Sequence, residues 1–215
     1  MAERSKQDRS EQSREAILNA ASTLFLDGGI GAMSVRAIAQ RARVSTIGIY
    51  SHFNGKQGII DTLYVQGFNK LSAAMDVDDS LSTSERLLAA TQQYLDLGEQ
   101  FEAHYRLIFG EVDAGYNPSE EARTVQIAAF NKLVELSTRL LADAQSNEEP
   151  RQFALEIWAL LHGFVSLRHH TAQRAMPNNS PHSAVRGRDN LEQPGEWRAA
   201  AIRAVRRLAE SYGLN

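Results

Sequence analysis

The sequence predicts an all-α protein: an N-terminal three-helix domain built around a helix-turn-helix, then a helical C-terminal domain, about nine helices in total. Three features carry this expectation. Apolar residues recur at steps of three and four along almost the whole chain, and the alternation of a half-buried strand is nearly absent. Clusters of Gly, Ser, Asn and Pro interrupt that pattern at intervals suited to helices. Residues 34–60 hold two short helices and a tight turn.

The first helix is expected over about 10–27, where Ile17, Ala20, Ala21, Leu24 and Phe25 share a face and Gly28-Gly29 ends the run. Ser34 is placed to cap a short helix reaching Gln40 or Arg41, and Ser45 another reaching His52 or Phe53. Asn54-Gly55 is a break before a fourth helix from Lys56 to about Met75. Asp76–Ser84 reads as a polar loop, and Ser82 with Glu85 has the spacing of a capping box that opens a helix toward Gly98. Phe101–Gly110 is a shorter helix and Gly115–Ser119 a turn.

The long helix Glu120–Ala144 is expected to turn Ile127, Phe130, Leu133, Val134, Leu140 and Leu141 inward, and Ser146–Pro150 breaks it. Arg151–Thr171 carries two neighbouring apolar stripes. One is Phe153, Ile157, Leu160, Phe164 and Leu167; the other is Ala154, Trp158, Leu161 and Val165. A helix so apolar must be covered on more than one side, and a second copy of the chain is a natural cover. Pro177–Gly195 reads as a long loop. The last helix, Glu196–Tyr212, is expected to bury Trp197, Ala201, Ala204, Leu208 and Tyr212.

Composition narrows the function. There is no cysteine, which excludes disulfides, thiolate catalysis and Cys-based metal centres. The charged N-terminus has no apolar core of a signal peptide, and no apolar run approaches a membrane span, so a soluble cytoplasmic protein with no membrane partner is expected. The net charge of −3 is unevenly spread: residues 1–60 carry +3 and residues 61–215 carry −6. A basic front on an acidic body suits a protein of which only one part meets phosphate.

That part is the helix-turn-helix. Val35, Ile38 and Ala39 give the first short helix its apolar face, Ala42 and Val44 anchor the turn, and Ile49 and Phe53 seat the second helix. In such a pair the second helix enters the major groove while the first braces it on the backbone. Ser45 and Thr46 stand at the second helix's N-terminus, where free N–H groups favour phosphate. Gly48 permits close approach to the groove floor, and Tyr50 and His52 offer hydrogen-bond donors. Lys56 is a further phosphate partner, and Arg36 and Arg43 flank the turn within reach of phosphates or guanine edges. Ser34, Ile47 and Ser51 complete the candidate DNA-facing set.

The strings Ile38-Ala39, Ala42-Arg43-Val44-Ser45, Gly48-Ile49-Tyr50-Ser51-His52-Phe53 and Lys56 resemble the DNA-binding domain of the TetR family of transcriptional regulators. The likeness covers residues 10–60. One departure is Arg43, which stands where the family pattern has glycine. Farther on, Trp158, His162 and Gly163 resemble a W-x-x-x-H-G signature of some members, and Tyr105–Gly110 resembles a segment found there. The resemblance implies a DNA-binding domain over 1–55 and a ligand-binding and dimerisation domain over 56–215. It further implies a homodimer formed through the last two helices, about 151–172 and 196–212, that binds a double-stranded operator. A repressor released by a small-molecule effector is implied, with activation as the alternative.

Tyr94, Phe101, Tyr105, Phe109, Phe130, Trp158 and His162 are the candidate effector-pocket residues, though each is also an ordinary core residue type. Neither a cofactor nor a metal is expected: His169-His170 are adjacent on a helix and point in different directions. No catalytic residue is expected either, since G-x-S-x-G, H-E-x-x-H and C-x-x-C motifs are absent and Gly48, Gly55 and Lys56 lack phosphate-loop spacing. An enzymatic site among His104, Glu111, Asp113 and His162 and an architectural DNA-binding protein without a ligand are the competing readings.

Overall fold

The computed structural model describes residues 2–109, 116–175 and 195–214. Among these residues there are nine α-helices and no strand. They are α1 Ala2–Ala32, α2 Val35–Ala42, α3 Thr46–Phe53, α4 Lys56–Ala73, α5 Thr83–Gln100, α6 Glu102–Ile108, α7 Glu120–Asp143, α8 Pro150–Ala175 and α9 Glu196–Ser211.

Local chemistry sets most boundaries. α1 starts well before Ser10, and its glycine pair leaves helical geometry, with Gly28 at φ −156° and Gly29 at φ 67°, before one last turn. Ser82 and Glu85 form the expected capping box: the Ser82 amide donates to Glu85 Oε2 at 2.9 Å and the Glu85 amide to Ser82 Oγ at 3.4 Å. Pro150, expected in the break, instead opens α8, where its fixed φ suits the first helical position and its missing N–H costs nothing. Residues 116–119 are non-helical, whereas Gly115 and all of the expected 177–195 loop but Gly195 lie outside the described residues.

Two compact units emerge, Met1–Leu71 with Gln100–Ala129, and Ser72–Glu99 with Phe130–Asn215. In the first, α1 packs on α2 and α6, and α2 on α3. Ile17, Phe25, Met33, Ile38, Ile49, Ile59 and Leu107 form its fully buried centre. Each such side chain contributes roughly 1.5–3 kcal/mol by leaving water. The short helix α6 shares this core through Ala103, Leu107 and Ile108. α4 approaches it so closely that a Cβ on Gly67 would stand 2.6 Å from Ile108 Cγ2.

α4 is also tied to the start of α7. Asp61 accepts from the Tyr116 hydroxyl at 2.8 Å and the Ser119 amide at 3.0 Å. Ser119 in turn caps α7, accepting from the Ala122 amide at 3.1 Å. Burial pushes the Asp61 carboxyl up, but the hydrogen bonds from Ser119 and Tyr116 and the charge of Arg123 outweigh it and hold the carboxyl below its ordinary value. The stability this tie contributes is thus present above the ordinary carboxylate range and lost as pH falls through the lowered value.

The second unit is built on α8 packed against α9. α5 meets α8 at Gly98, where an added Cβ would lie 2.5 Å from Val165 Cγ1. The His169 ring, buried, bonds the Gly98 carbonyl at 2.9 Å. Arg198 of α9 pairs with Asp96 at 2.8 Å and Glu99 at 2.6 Å, and Arg168 of α8 joins Glu99 at 3.3 Å. Buried Arg86 of α5 reaches Asp143 at the end of α7.

Two expectations need correction. Ile127 does not face inward: it is 62% exposed, because in the first unit α7 buries the face of Ala122 and Ala129. On α9 the buried line runs Trp197, Ala201, Val205 and Ala209, at steps of four, so Ala204 and Leu208 fall to a half-buried flank. On α8, Leu167 of the expected stripe is 58% exposed, and Leu155, outside both stripes, is 45% exposed.

Candidate nucleic-acid interface

α2 and α3 are each started by a serine. Ser34 Oγ accepts from the Ala37 amide at 3.1 Å and Ser45 Oγ from the Gly48 amide at 3.0 Å. Each cap contributes about 1 kcal/mol. Ser34 itself is exposed, as is Arg36 on the outer face of α2.

The turn between the helices hinges on Arg43. It takes the left-handed conformation, φ 57° and ψ 38°, and its amide donates to the carbonyls of Ala39 and Gln40. The arginine therefore occupies the backbone conformation that glycine would hold, and the turn keeps its form. A side chain held there costs about 1 kcal/mol. Arg43→Gly is accordingly expected to raise the thermal midpoint while weakening DNA binding and flattening its salt dependence, because an exposed positive charge is lost. Parallel melts and salt titrations check both signs.

α3 is seated by Ile49, fully buried, and by Phe53, with Arg14 of α1 stacked 4.7 Å from the Phe53 ring centre. Its opposite side is open. Thr46 and Ser51 are exposed, Ile47 is 79% exposed and Tyr50 58%. His52 is half-buried against Phe53. A Cβ on Gly48 would meet nothing nearer than Ser45 Oγ at 3.5 Å, so the fold itself does not demand glycine there.

Lys56 is engaged inside the protein: its ammonium donates to the Ile30 carbonyl at 2.7 Å, joining the start of α4 to the end of α1. Two further N–H donors remain on the ammonium. Lys56→Gln is expected to lower stability by about 1–2 kcal/mol. It is also expected to reduce the slope of log affinity against log salt by about one per half-site. An unchanged slope with lowered stability would assign Lys56 to the α1–α4 tie alone.

One residue that sequence reasoning missed is Gly58. A Cβ there would lie 1.8 Å from the Phe53 carbonyl oxygen, so α4 leaves α3 through a passage that only glycine fits. The signal available was a glycine in the first turn of an otherwise regular helix.

The candidate effector residues are divided between the units. Phe101, Tyr105 and Phe109 lie in the first, where Tyr105 is 2% exposed and its ring packs 4.7 Å from Phe109, and the Lys70 ammonium sits 3.6 Å over Phe101. Tyr94, Phe130, Trp158 and His162 lie in the second. There the Phe130 and Trp158 rings are 5.7 Å apart, and His162 is 3.3 Å from Ser166 Oγ, its pKa lowered by burial and by neighbouring His169. A separate groove of about 460 Å³ runs between α5 and α9 over Leu87, Leu88, Ile202, Val205 and Leu214, and none of the seven lines it. Of the competing enzymatic set, His104 and His162 belong to different units, and Glu111 and Asp113 lie outside the described residues. The His104 imidazole, its pKa lowered to about 4 by burial and by the charge of Lys70, bonds Gln66 at 3.2 Å.

Comparison with known proteins places this geometry. Residues 17–63 match the family described as bacterial regulatory proteins, tetR family, and residues 87–191 match the tetracyclin repressor-like C-terminal domain. The HTH-type transcriptional activator FasR of Mycolicibacterium smegmatis is 30% identical over 187 residues, covering 82% of this chain and 80% of FasR. The chain belongs to the TetR family. It is a TetR-family transcriptional regulator with an N-terminal helix-turn-helix and a helical C-terminal domain. The crystal structure of a TetR-family regulatory protein from Rhodococcus RHA1 superposes with TM-score 0.68 at 19% identity, covering 94% of this chain and 98% of that one. SmeT in complex with triclosan gives TM-score 0.63 at 17% identity, over 94% and 91% of the two chains. These two share the TetR fold with the chain. Among its described residues no helix is long and apolar enough to cross a membrane.

Proposed function

We propose that this TetR regulator acts as a homodimer that holds a pseudo-palindromic operator through two copies of α3 and releases it when a small molecule occupies the helical body. The observation that carries the DNA half is the open side of α3, where Thr46, Ile47, Tyr50 and Ser51 all face solvent while Ile49 and Phe53 lock the helix to the core. Gly48, not required by the fold, suits close approach to the groove floor, and Arg36, Arg43 and Lys56 take phosphates around it. Ser34, Ser45 and His52 complete the contact set. Two recognition helices about 34–36 Å apart meet successive major grooves.

In this reading residues 1–55 are the DNA-binding domain and 56–215 the effector and dimerisation domain. The partner covers α8 and α9, over about 151–172 and 196–212; exposed Leu155 and Leu167 support that placement. Phe130, Trp158 and His162, half-buried, and buried Tyr94 contact the effector, and Trp158, His162 and Gly163 support membership of the W-x-x-x-H-G subgroup. The effector acts by preferring the state unable to bind DNA, and can shift the population only by its difference in affinity for the two states. SmeT, solved with triclosan, supports a small-molecule effector. Such a role places the protein in the cytoplasm. Activation is the second reading, favoured by the activator FasR.

The test is binding to the DNA flanking the protein's own gene, against a scrambled duplex and across a salt series. Tight, dimer-stoichiometric and selective binding is expected, and the recovered operator then serves a screen for compounds that release it. Failure to prefer any sequence, there or in a genome-wide selection, would overturn the reading. Transcription from the recovered operator that rises when the protein is supplied would decide for activation.

A further inference from the structure

We infer that Ile47 reads the 5-methyl group of a thymine in each operator half-site and thereby sets part of the sequence preference; this rests on the DNA-binding reading above. Ile47 is the second residue of α3 and is 79% exposed, more than Ile127 at 62% or Leu167 at 58%. A lone exposed isoleucine is ordinary on a protein surface. Its place on this helix is what gives it meaning.

Thr46–Phe53 contains no Arg, Lys, Asn, Gln, Asp or Glu. The bidentate pairings that read guanine or adenine, and the carboxylate that reads cytosine, are therefore not available from α3. What its open side offers is hydroxyls, from Thr46, Tyr50 and Ser51, and one branched apolar side chain. The major groove has one apolar feature, the thymine methyl. In a docked helix-turn-helix it is the N-terminal residues of the second helix that meet base edges, which is where Ile47 stands.

Among the described residues Ile47 keeps most of its side chain uncovered. Tyr50, three residues on and so on the same side, leans its ring toward the far end of α3: a Cβ on Gly55 would lie 3.2 Å from Tyr50 Cε1. The ring therefore packs at the C-terminal end and leaves Ile47 open. A β-branched residue also gains nothing in helix propensity over Ala at this position.

The experiment begins with selection of preferred duplexes from a random pool by the full chain. Each thymine of the preferred site is then replaced singly by deoxyuridine, which removes only the methyl. One thymine per half-site is expected to show about a fourfold loss of affinity per methyl removed. That loss is expected to vanish in Ile47→Ala, whose melting midpoint should match the parent because the side chain is exposed. With cytosine at the same position, 5-methylcytosine is expected to bind more tightly than cytosine to the parent only. A preferred site indifferent to every uridine, or equally sensitive in Ile47→Ala, overturns this inference alone. A selection that returns no preferred site overturns the DNA-binding reading and the inference together.

Discussion

Gly58→Ala is expected to destabilise the first unit by about 3 kcal/mol and to abolish operator binding. The added Cβ would fall 1.8 Å from the Phe53 carbonyl oxygen and 2.9 Å from its carbonyl carbon. Both are backbone atoms, so no rotamer change removes the conflict. The junction they belong to is tightly made: Asn54 ends α3 in a left-handed conformation at φ 56°, its amide bonded to Tyr50 O at 3.0 Å. The Ile59 amide then bonds Gly55 O at 3.3 Å as α4 begins. Relief requires α3 and α4 to separate, and α3 would then point elsewhere. Urea denaturation and operator binding measured together check this. A variant that melts and binds like the parent would show that the junction can yield without re-aiming α3.

Gly98→Ala acts in the second unit and is expected to cost about 1–3 kcal/mol. Its Cβ would meet Val165 Cγ1 at 2.5 Å and Cγ2 at 3.0 Å. Valine is stiff at χ1, so α5 and α8 must part rather than the side chain turn aside. Parting them also stretches the bond between His169 and the Gly98 carbonyl. Val165→Ala makes the space that the new methyl needs. The double variant is therefore expected to be more stable than the sum of the single changes allows, a coupling that a double-mutant cycle measures directly. Additive losses would mean that the two positions do not meet.

What the sequence made legible was local. Ser34 and Ser45 marked helix starts because a capping hydroxyl needs only an amide three residues away. Val35 with Ile38 and Ala39, and Ile49 with Phe53, marked faces because about one helical turn relates them. The same reasoning left Gly58, Gly67 and Gly98 unread, since the need for glycine there comes from Phe53, Ile108 and Val165 crossing close by. Arg86 is similar: a charged residue buried on α5 makes sense through Asp143, many residues later, together with Asp79. Lys56 was read from motif alone as a phosphate ligand, and its bond to Ile30 depends on how α1 and α4 converge. Arg43 showed the opposite limit. The sequence raised the question of the missing glycine, but only the backbone angles show that arginine adopts the glycine conformation. On α9, Trp197, Ala201 and Tyr212 are buried as read, but the middle of the line falls on Val205 and Ala209 rather than Ala204 and Leu208, because its many alanines define a face poorly.

The formal charges near the proposed DNA surface lie around α3, on Arg36, Arg43 and Lys56, and none lies on α3 itself. On the proposed reading, grip and choice fall to different atoms. Ion release from phosphates makes grip fall steeply as electrolyte rises. Methyl and hydroxyl contacts to bases release no counterions, so the ratio of affinities for two rival sequences should scarcely change. An osmotic upshift that fills the cell with potassium would then loosen every site in proportion, and the regulon would respond as a body with the rank order of its promoters intact.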